Sequence, residues 1–362
     1  MATPTAAANA AVQAYPTVRI VSGPAFELIA ELAAFTSGPA RPALESGKGW
    51  IRQVRRLAGK ELIERVERWG LPLYGELASI AYEAGPPFEP ARLAEALRRM
   101  PPARLRRRLV GAESAPNRAM VSEGAFDRAL LGDREAQTEL RNELAVNAQA
   151  RAGFDRLLAT HPAKLGEELA SIVEAWATAV SPAFASRSMA LIERDVGPKE
   201  GLLKVTAPRD ALRVFTNGVD VDPGGWATEV VVIPVAALRP FIAPVEWDTT
   251  LLLVVSVADE TVDAVAGGPP RRLIKIAAAL GDELRLRILH ELGKGEQTAS
   301  ELAERLDVDR TSLHHHLGIL RSAGLVAIKA EGVDYWRYTL RIETLDRATA
   351  SLDAYLRPGQ GS

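Results

Sequence analysis

The sequence predicts a mainly α-helical protein with small β elements, made of a helical N-terminal domain that ends in a hairpin or small sheet and a shorter C-terminal domain. Three observations carry this. Apolar residues recur at spacings of three and four through most of residues 24–196, as in Leu165, Leu169, Ile172, Trp176 and Val180. β-Branched runs gather between residues 214 and 257. The string Gly267-Gly268-Pro269-Pro270 then reads as a linker between two stretches of different texture. The expected boundaries are a disordered tail over 1–16, an N-terminal domain over 17–268 and a C-terminal domain over 269–357.

The elements follow in order. Met1 to Pro16 is Ala/Thr/Pro-rich and too poor in large apolar residues to pack. Pro24–Phe35 reads as a helix because Pro suits the first turn and Gly38-Pro39 lies just beyond the end. Helices are expected near Trp50–Trp69, Leu73–Ala84, Pro90–Met100 and Pro102–Val110, then over Arg134–Ala159, Pro162–Val180 and Ala183–Asp195. Gly197-Pro198 marks a change of texture. Val214–Thr216 and Val219–Val221 flank Asn217-Gly218, a strong hairpin signal. Glu229–Val235 and Leu251–Val257 complete the β element.

Composition narrows the function. The 362 residues carry a net charge of −2 and no cysteine, which excludes disulfides, cysteine nucleophiles, thiolate zinc sites and iron–sulfur clusters. No run approaches the 18 or so apolar residues of a membrane span, and Ala2–Ala14 lacks the basic start and aliphatic core of a signal peptide, so a cytoplasmic protein is expected. Gly47-Lys48-Gly49 has no P-loop spacing, and neither G-x-S-x-G nor a strand followed by G-x-G-x-x-G occurs, so the expectation is that the chain is not an enzyme. His314, His315 and His316 are consecutive and would point about 100° apart on a helix, while His161 and His290 stand alone. No metal and no cofactor is expected.

The C-terminal segment is the most informative. Arg271–Leu280 and Asp282–Leu292 read as helices, with Asp282 as N-cap of the second. Thr298-Ala299-Ser300-Glu301 has the spacing of a capping box and opens a short helix to Leu306. Val308 suits a buried turn residue. Asp309 caps a helix to about Ala323 that is apolar at Leu313, Leu317 and Leu320, and Gly324 ends it. Leu325–Ala330 and Tyr335–Leu340 read as two strands around Glu331-Gly332-Val333-Asp334, and Arg341–Leu356 as a last helix. Two helices joined by a tight turn and followed by a hairpin describe a winged helix-turn-helix.

Residues 271–340 resemble the ArsR family of bacterial winged-helix transcriptional regulators. The match rests on Ala279-Leu280-Gly281-Asp282 with Arg285-Leu286-Arg287-Ile288-Leu289, on Glu301-Leu302-Ala303, on His316-Leu317 with Leu320, and on Ala323-Gly324-Leu325-Val326. The resemblance covers about the last quarter of the chain. It implies a double-stranded DNA operator as partner, binding as a homodimer through the terminal helices, and repression as the usual outcome; packing within the monomer is the other reading of those helices. It also implies operator contact for Arg310, Thr311, His314 and His315, which fall on the polar face of the second helix near its N-terminus. Ser312 suits a phosphate or the helix terminus. Lys329 or Arg337, near the wing, suits a phosphate or minor groove, with solvated surface as the alternative. His316 lies on the leucine side and is expected to pack. The family's thiolate metal site needs cysteines on the Glu301–Leu306 helix, where this chain has Ala303 and Arg305.

Two further features stay open. Arg98, Arg99, Arg104, Arg106, Arg107 and Arg108 form the basic cluster of the first domain; it reads as a solvated face, or else as contact with flanking DNA or an acidic partner. Residues 17–268 either hold a small-molecule effector pocket that biases the DNA-competent state or serve as a ligand-free interaction scaffold. Trp50, Trp69, Trp176, Phe184, Phe215 and Trp226 fit core better than pocket. Residues 269–362 carry 14 Lys/Arg and 13 Asp/Glu, yet from Arg310 to Ala330 there are three Lys/Arg, three His and no acid. Local charge, not the chain average, is what a duplex would meet.

Overall fold

A computed structural model describes residues 15–37, 44–69, 71–144, 148–266, 269–331 and 335–357. The expected linker residues Gly267-Gly268, most of the expected tail and the wing tip at 332–334 lie outside the described residues. The N-terminal part begins with β1 (Thr17–Ile20) and α1 (Pro24–Thr36), followed by α2 (Gly47–Trp69), α3 (Leu71–Ala84), α4 (Pro90–Arg99) and α5 (Pro102–Leu109). Next come α6 (Ala115–Ala119), α7 (Ala125–Leu130), α8 (Arg134–Leu144), α9 (Ala148–Ala159) and α10 (Pro162–Ala179). Helices α11 (Ala185–Val205) and α12 (Pro208–Phe215) lead to β2 (Val219–Asp220), β3 (Glu229–Val235), β4 (Ala243–Trp247), β5 (Thr250–Ser256) and α13 (Asp259–Ala266). The C-terminal part runs α14 (Arg271–Leu280), α15 (Glu283–Gly293), β6 (Gln297–Thr298), α16 (Ala299–Leu306), α17 (Arg310–Ser322), β7 (Val326–Glu331), β8 (Tyr335–Leu340) and α18 (Ile342–Leu356).

The mainly α architecture is as read from the sequence, and helices α1, α4, α5 and α10 each start on a proline in the first turn. The β element is more central than expected. Its strands run in the order β1-β3-β5-β4, with β1, β3 and β5 parallel and β4 antiparallel at the edge. Val231, Ile233, Leu252 and Val254 face the main helical core, while Val230, Val232, Leu251 and Leu253 face a second cluster built with Ala211, Leu212 and Phe215 of α12. Burial on both faces explains why these strands are unbroken aliphatic runs instead of alternating ones.

Helix α1 is the centre of that core. Every residue from Ala25 to Thr36 is buried, Glu27 and Glu31 included. Burial pushes both carboxyls above their ordinary range, Glu31 to about 7. Each does structural work with its other oxygen. Glu27 accepts from the backbone N of Ala236 at 2.7 Å, just after β3, and Glu31 accepts from Trp176 Nε1 at 2.9 Å and Ser181 Oγ at 2.6 Å. Trp69 and Trp176 are fully buried, and Trp50, Phe184 and Trp226 pack against the clusters, so the aromatics fill core.

Several local expectations are corrected. Val214 and Phe215 end α12 and do not form a strand; Pro208 in its first turn and the inward Ala211, Leu212 and Phe215 make an amphipathic helix that overrides the β-branched residue. Asn217 and Gly218 both have positive φ (53° and 94°), as the Asn-Gly signal implies, but the strand that follows turns away. Instead β2 pairs in parallel with β7, Val219 opposite Ile328, so that the second sheet runs β2-β7-β8-β6 and includes a strand from the N-terminal part. Gly197-Pro198 does not break the chain: α11 continues through Pro198 to Val205, with Asp195 and Lys199 paired and buried one turn apart. The segment read as one helix from Arg134 to Ala159 is described as α8 and α9.

Candidate nucleic-acid interface

The C-terminal fold follows its local signals closely. Asp282 accepts from the backbone N of Arg285 at 3.0 Å and so caps α15. The capping box at α16 is reciprocal: Glu301 N donates to Thr298 Oγ1 at 3.2 Å, and Thr298 N donates to Glu301 Oε2 at 2.7 Å. Asp307 then takes a left-handed conformation at φ 55°, the partly buried Val308 packs on the core, and Asp309 accepts from Ser312 N at 2.8 Å to open α17. Leu313, Leu317 and Leu320 point into a core shared with Ile276, Ile288, Leu302, Leu306 and Val326. These packed leucines fix the rotation of α17, and so fix which face it shows to solvent.

That outer face carries His314, His315 and Gly318, all exposed, with Ser312 half-buried at the cap. Arg310 and Thr311 lie in the first turn of α17, and Lys329 lies on β7; their side chains fall outside the described residues. Arg337 is half-buried on β8, opposite both Lys329 and Thr298 in register, and its charge helps hold Glu301 below the ordinary carboxylate range, behind that group's hydrogen bonds to Thr298. The backbone therefore brings Arg310, Thr311, Ser312, His314 and His315 to one helix end, with Lys329 and Arg337 in the neighbouring hairpin. Arg321 belongs to the inner side, where burial lowers its pKa beside Tyr338.

His316 packs as expected. It is half-buried, with Nδ1 3.5 Å from Asp282 Oδ1 beside the cap of α15. The Arg98–Arg108 cluster is paired internally. Arg98 binds Glu167 at 2.8 Å and also Glu174, Arg99 binds Glu95 at 2.6 Å, Arg104 binds Glu83 at 2.8 Å and Arg107 binds Asp127. Arg106 donates to the Leu158 carbonyl, and Arg108 is buried between Glu83 and the ring of Trp247, 4.4 Å from its centroid.

Residues that sequence reasoning missed connect the two parts of the chain. Arg341, largely buried before α18, donates to the Asn217 carbonyl at 2.9 Å, and a side chain at Gly218 would collide with its guanidinium. Thr344 donates to the Gly324 carbonyl at 2.8 Å beside the same contact. On the other flank, Arg239 is held by Glu45, Asp259 and the Val257 carbonyl, while Lys275 of α14 reaches Glu45 at 2.5 Å and Asp259 at 2.8 Å. Burial opposes ionisation of Asp259, but Lys275 and Arg239 outweigh it and hold its pKa low. No local pattern marks these residues, since the partners are as much as 230 positions apart in the sequence.

Comparison with known proteins agrees with this geometry. A family model described as a helix-turn-helix domain matches residues 280–328. The chain is 35% identical over 54 residues to the transcriptional repressor SdpR of Bacillus subtilis, covering 15% of this chain and 60% of that protein. It is 38% identical over 80 residues to the HTH-type transcriptional regulator CmtR of Mycobacterium bovis and of Mycobacterium tuberculosis, covering 22% of this chain and 67% of those proteins. The chain thus spans less than two thirds of SdpR, and residues before the helix-turn-helix region are outside that family-model match. Among the described residues no helix is long and apolar enough to cross a membrane. Through its C-terminal domain, the chain belongs to the ArsR-type family of winged helix-turn-helix transcriptional regulators.

Proposed function

We propose that the protein is a sequence-specific transcriptional regulator of the cytoplasm that binds a palindromic operator as a homodimer, represses by occupying it, and is not an enzyme. The observation that carries this reading is the outer face of α17: exposed His314 and His315 follow Arg310 and Thr311 at the helix start, with no acid from Arg310 to Ala330. A recognition helix reads base edges with its N-terminal residues, Arg through the two acceptors of guanine and His or Thr through single hydrogen bonds. Ser312, Lys329 and Arg337 take phosphates. Dimerisation is supported by apolar residues left exposed on α14, α15 and α18: Ile274, Leu286, Leu352, Tyr355 and Leu356. SdpR's description as a repressor supports the direction of regulation.

The N-terminal part serves as the input domain, favoured over an inert scaffold by the way it is joined to the DNA-binding part. It supplies β2 to the wing sheet and clamps α14 through Lys275. A change in its shape thus bears on both the first helix and the wing. The test is a mobility shift of the full chain on the duplex upstream of its own gene. Wild type is expected to retain that duplex against excess random DNA, and Arg310→Ala or His315→Ala to weaken it by roughly 10- to 100-fold. Equal affinity for random duplex refutes the reading.

A further inference from the structure

We propose that a cavity beneath α1 and α3 is a binding site for a hydrophobic organic cation, a protonated amine on an aromatic or aliphatic body, and that its occupant bears on the loop that ties the N-terminal domain to α14. The cavity encloses about 460 Å³ between α1, α3 and the β4 edge of the first sheet. That volume suits a ligand of drug size. Its walls are apolar, formed by Phe26, Ile29, Leu238, Phe241, Val245 and Val254. Two carboxyls line it, Glu76 from α3 and Glu246 from β4, and no Lys or Arg does.

The polar groups are unevenly used. Glu246 accepts from Ser114 Oγ at 2.7 Å, whereas the Glu76 carboxyl has no hydrogen bond among those described. The charges around Glu76 are Arg108 on one side and Glu246 and Glu113 on the other, and Arg108 is already held by Glu83 and Glu113. Burial first, then the two neighbouring carboxyls, raises Glu76 to about 8 against the pull of Arg108. Two carboxyls set among apolar walls, with Arg108 already engaged by Glu83 and Glu113, leave room for a further cation, and an ammonium group on an apolar body supplies it while filling the cavity. A carboxylate ligand would instead bring a further acid against Glu76 and Glu246.

The link to the rest of the molecule lies in residues 236–242, between β3 and β4. Leu238, Phe241 and Ile242 line the cavity, and between them Arg239 reaches Glu45 and Asp259, which also hold Lys275 of α14. The effect on DNA rests on the regulator reading above; the binding itself does not.

The test is calorimetry on the full chain without DNA, using 4-phenylbutylamine and its neutral analogue 4-phenylbutanol. The amine is expected to bind at least tenfold more tightly than the alcohol. Its affinity should climb as pH rises toward about 8 and then level off, because the Glu76 proton must leave before the ammonium can pair. Glu76→Gln should erase the preference for the amine while keeping the alcohol. Ala243→Phe, which fills the cavity from β4, should remove both ligands if the site is right. Equal binding of amine and alcohol, an unchanged amine preference in Glu76→Gln, or no saturable binding by either ligand at millimolar concentration overturns the site. Saturating amine should then change operator affinity at least threefold in wild type and not in Glu76→Gln; an unchanged operator affinity overturns the coupling. A chain that binds no operator but binds the amine separates failure of the regulator reading from failure of this one.

Discussion

Two basic regions of this molecule invite the same reading and earn different ones. Residues 98–108 hold six arginines, and α17 holds two arginines and three histidines. The richer region is neutralised from within: acids from α3, α4, α7 and α10 meet Arg98, Arg99, Arg104, Arg107 and Arg108, and a carbonyl meets Arg106. The poorer region shows exposed imidazoles on a helix whose own residues include no acid, the nearest in sequence being the capping Asp309. Density of charge along a chain therefore says little about a nucleic-acid surface. What matters is whether folding brings acids onto it.

The largest effect is expected at Arg108. It is the fully buried member of its cluster, with Glu83 and Trp247 as partners, and Arg108→Ala leaves that ring without its cation and Glu83 with Arg104 alone. It should lower unfolding free energy by about 3 kcal/mol, measured by chemical denaturation, with operator affinity per folded molecule unchanged. A loss of DNA binding with stability intact would reverse the assignment.

A second buried group tests the core on which the comparison depends. Glu31, raised to about 7 from an ordinary 4.5, keeps its proton in the native state through a window where the unfolded chain has lost it. Native stability therefore falls as pH rises from about 4.5 to about 7. Glu31→Gln preserves an acceptor for Trp176 and Ser181 and removes that loss. The variant's advantage over wild type should grow across the window to on the order of 3 kcal/mol above it, followed by thermal unfolding at several pH values. A constant difference would mean that Glu31 is ionised in the fold throughout.

The smallest effect is expected at the surface of the arginine-rich region. Arg98→Ala breaks exposed pairs with Glu167 and Glu174 and should shift the unfolding midpoint by no more than the error of the measurement, leaving the salt dependence of DNA binding as it was. A shallower salt slope would show that this region does touch phosphate.

The sequence made these regions legible to different degrees. The winged helix is written in adjacent residues: Asp282, the Thr298–Glu301 box, Asp309 and Gly324 each act within three or four positions, so the motif could be read without its surroundings. The helices that open on Pro24, Pro90, Pro102 and Pro162 were legible for the same reason. The sheet was not. Its strand β1 pairs with a segment about two hundred residues away, and β2 leaves its own region to pair with β7. Glu76 and Glu246 look like ordinary polar positions on a helix and a strand, and only the packing of α3 and β4 with α1 sets them among the same apolar walls. The pairing of each arginine in residues 98–108 is likewise a fact of tertiary contact, invisible in the charge run itself.

In the proposed regulator, DNA meets the small face at the start of α17 and not the arginine-rich region. This is tested most directly by fluorescence anisotropy of the full chain on its own upstream duplex, comparing Arg310→Ala/His315→Ala with Arg98→Ala/Arg99→Ala. A loss of roughly 100-fold or more is expected for the first pair and wild-type affinity for the second. Wild-type affinity in the first pair with a loss in the second would contradict this assignment.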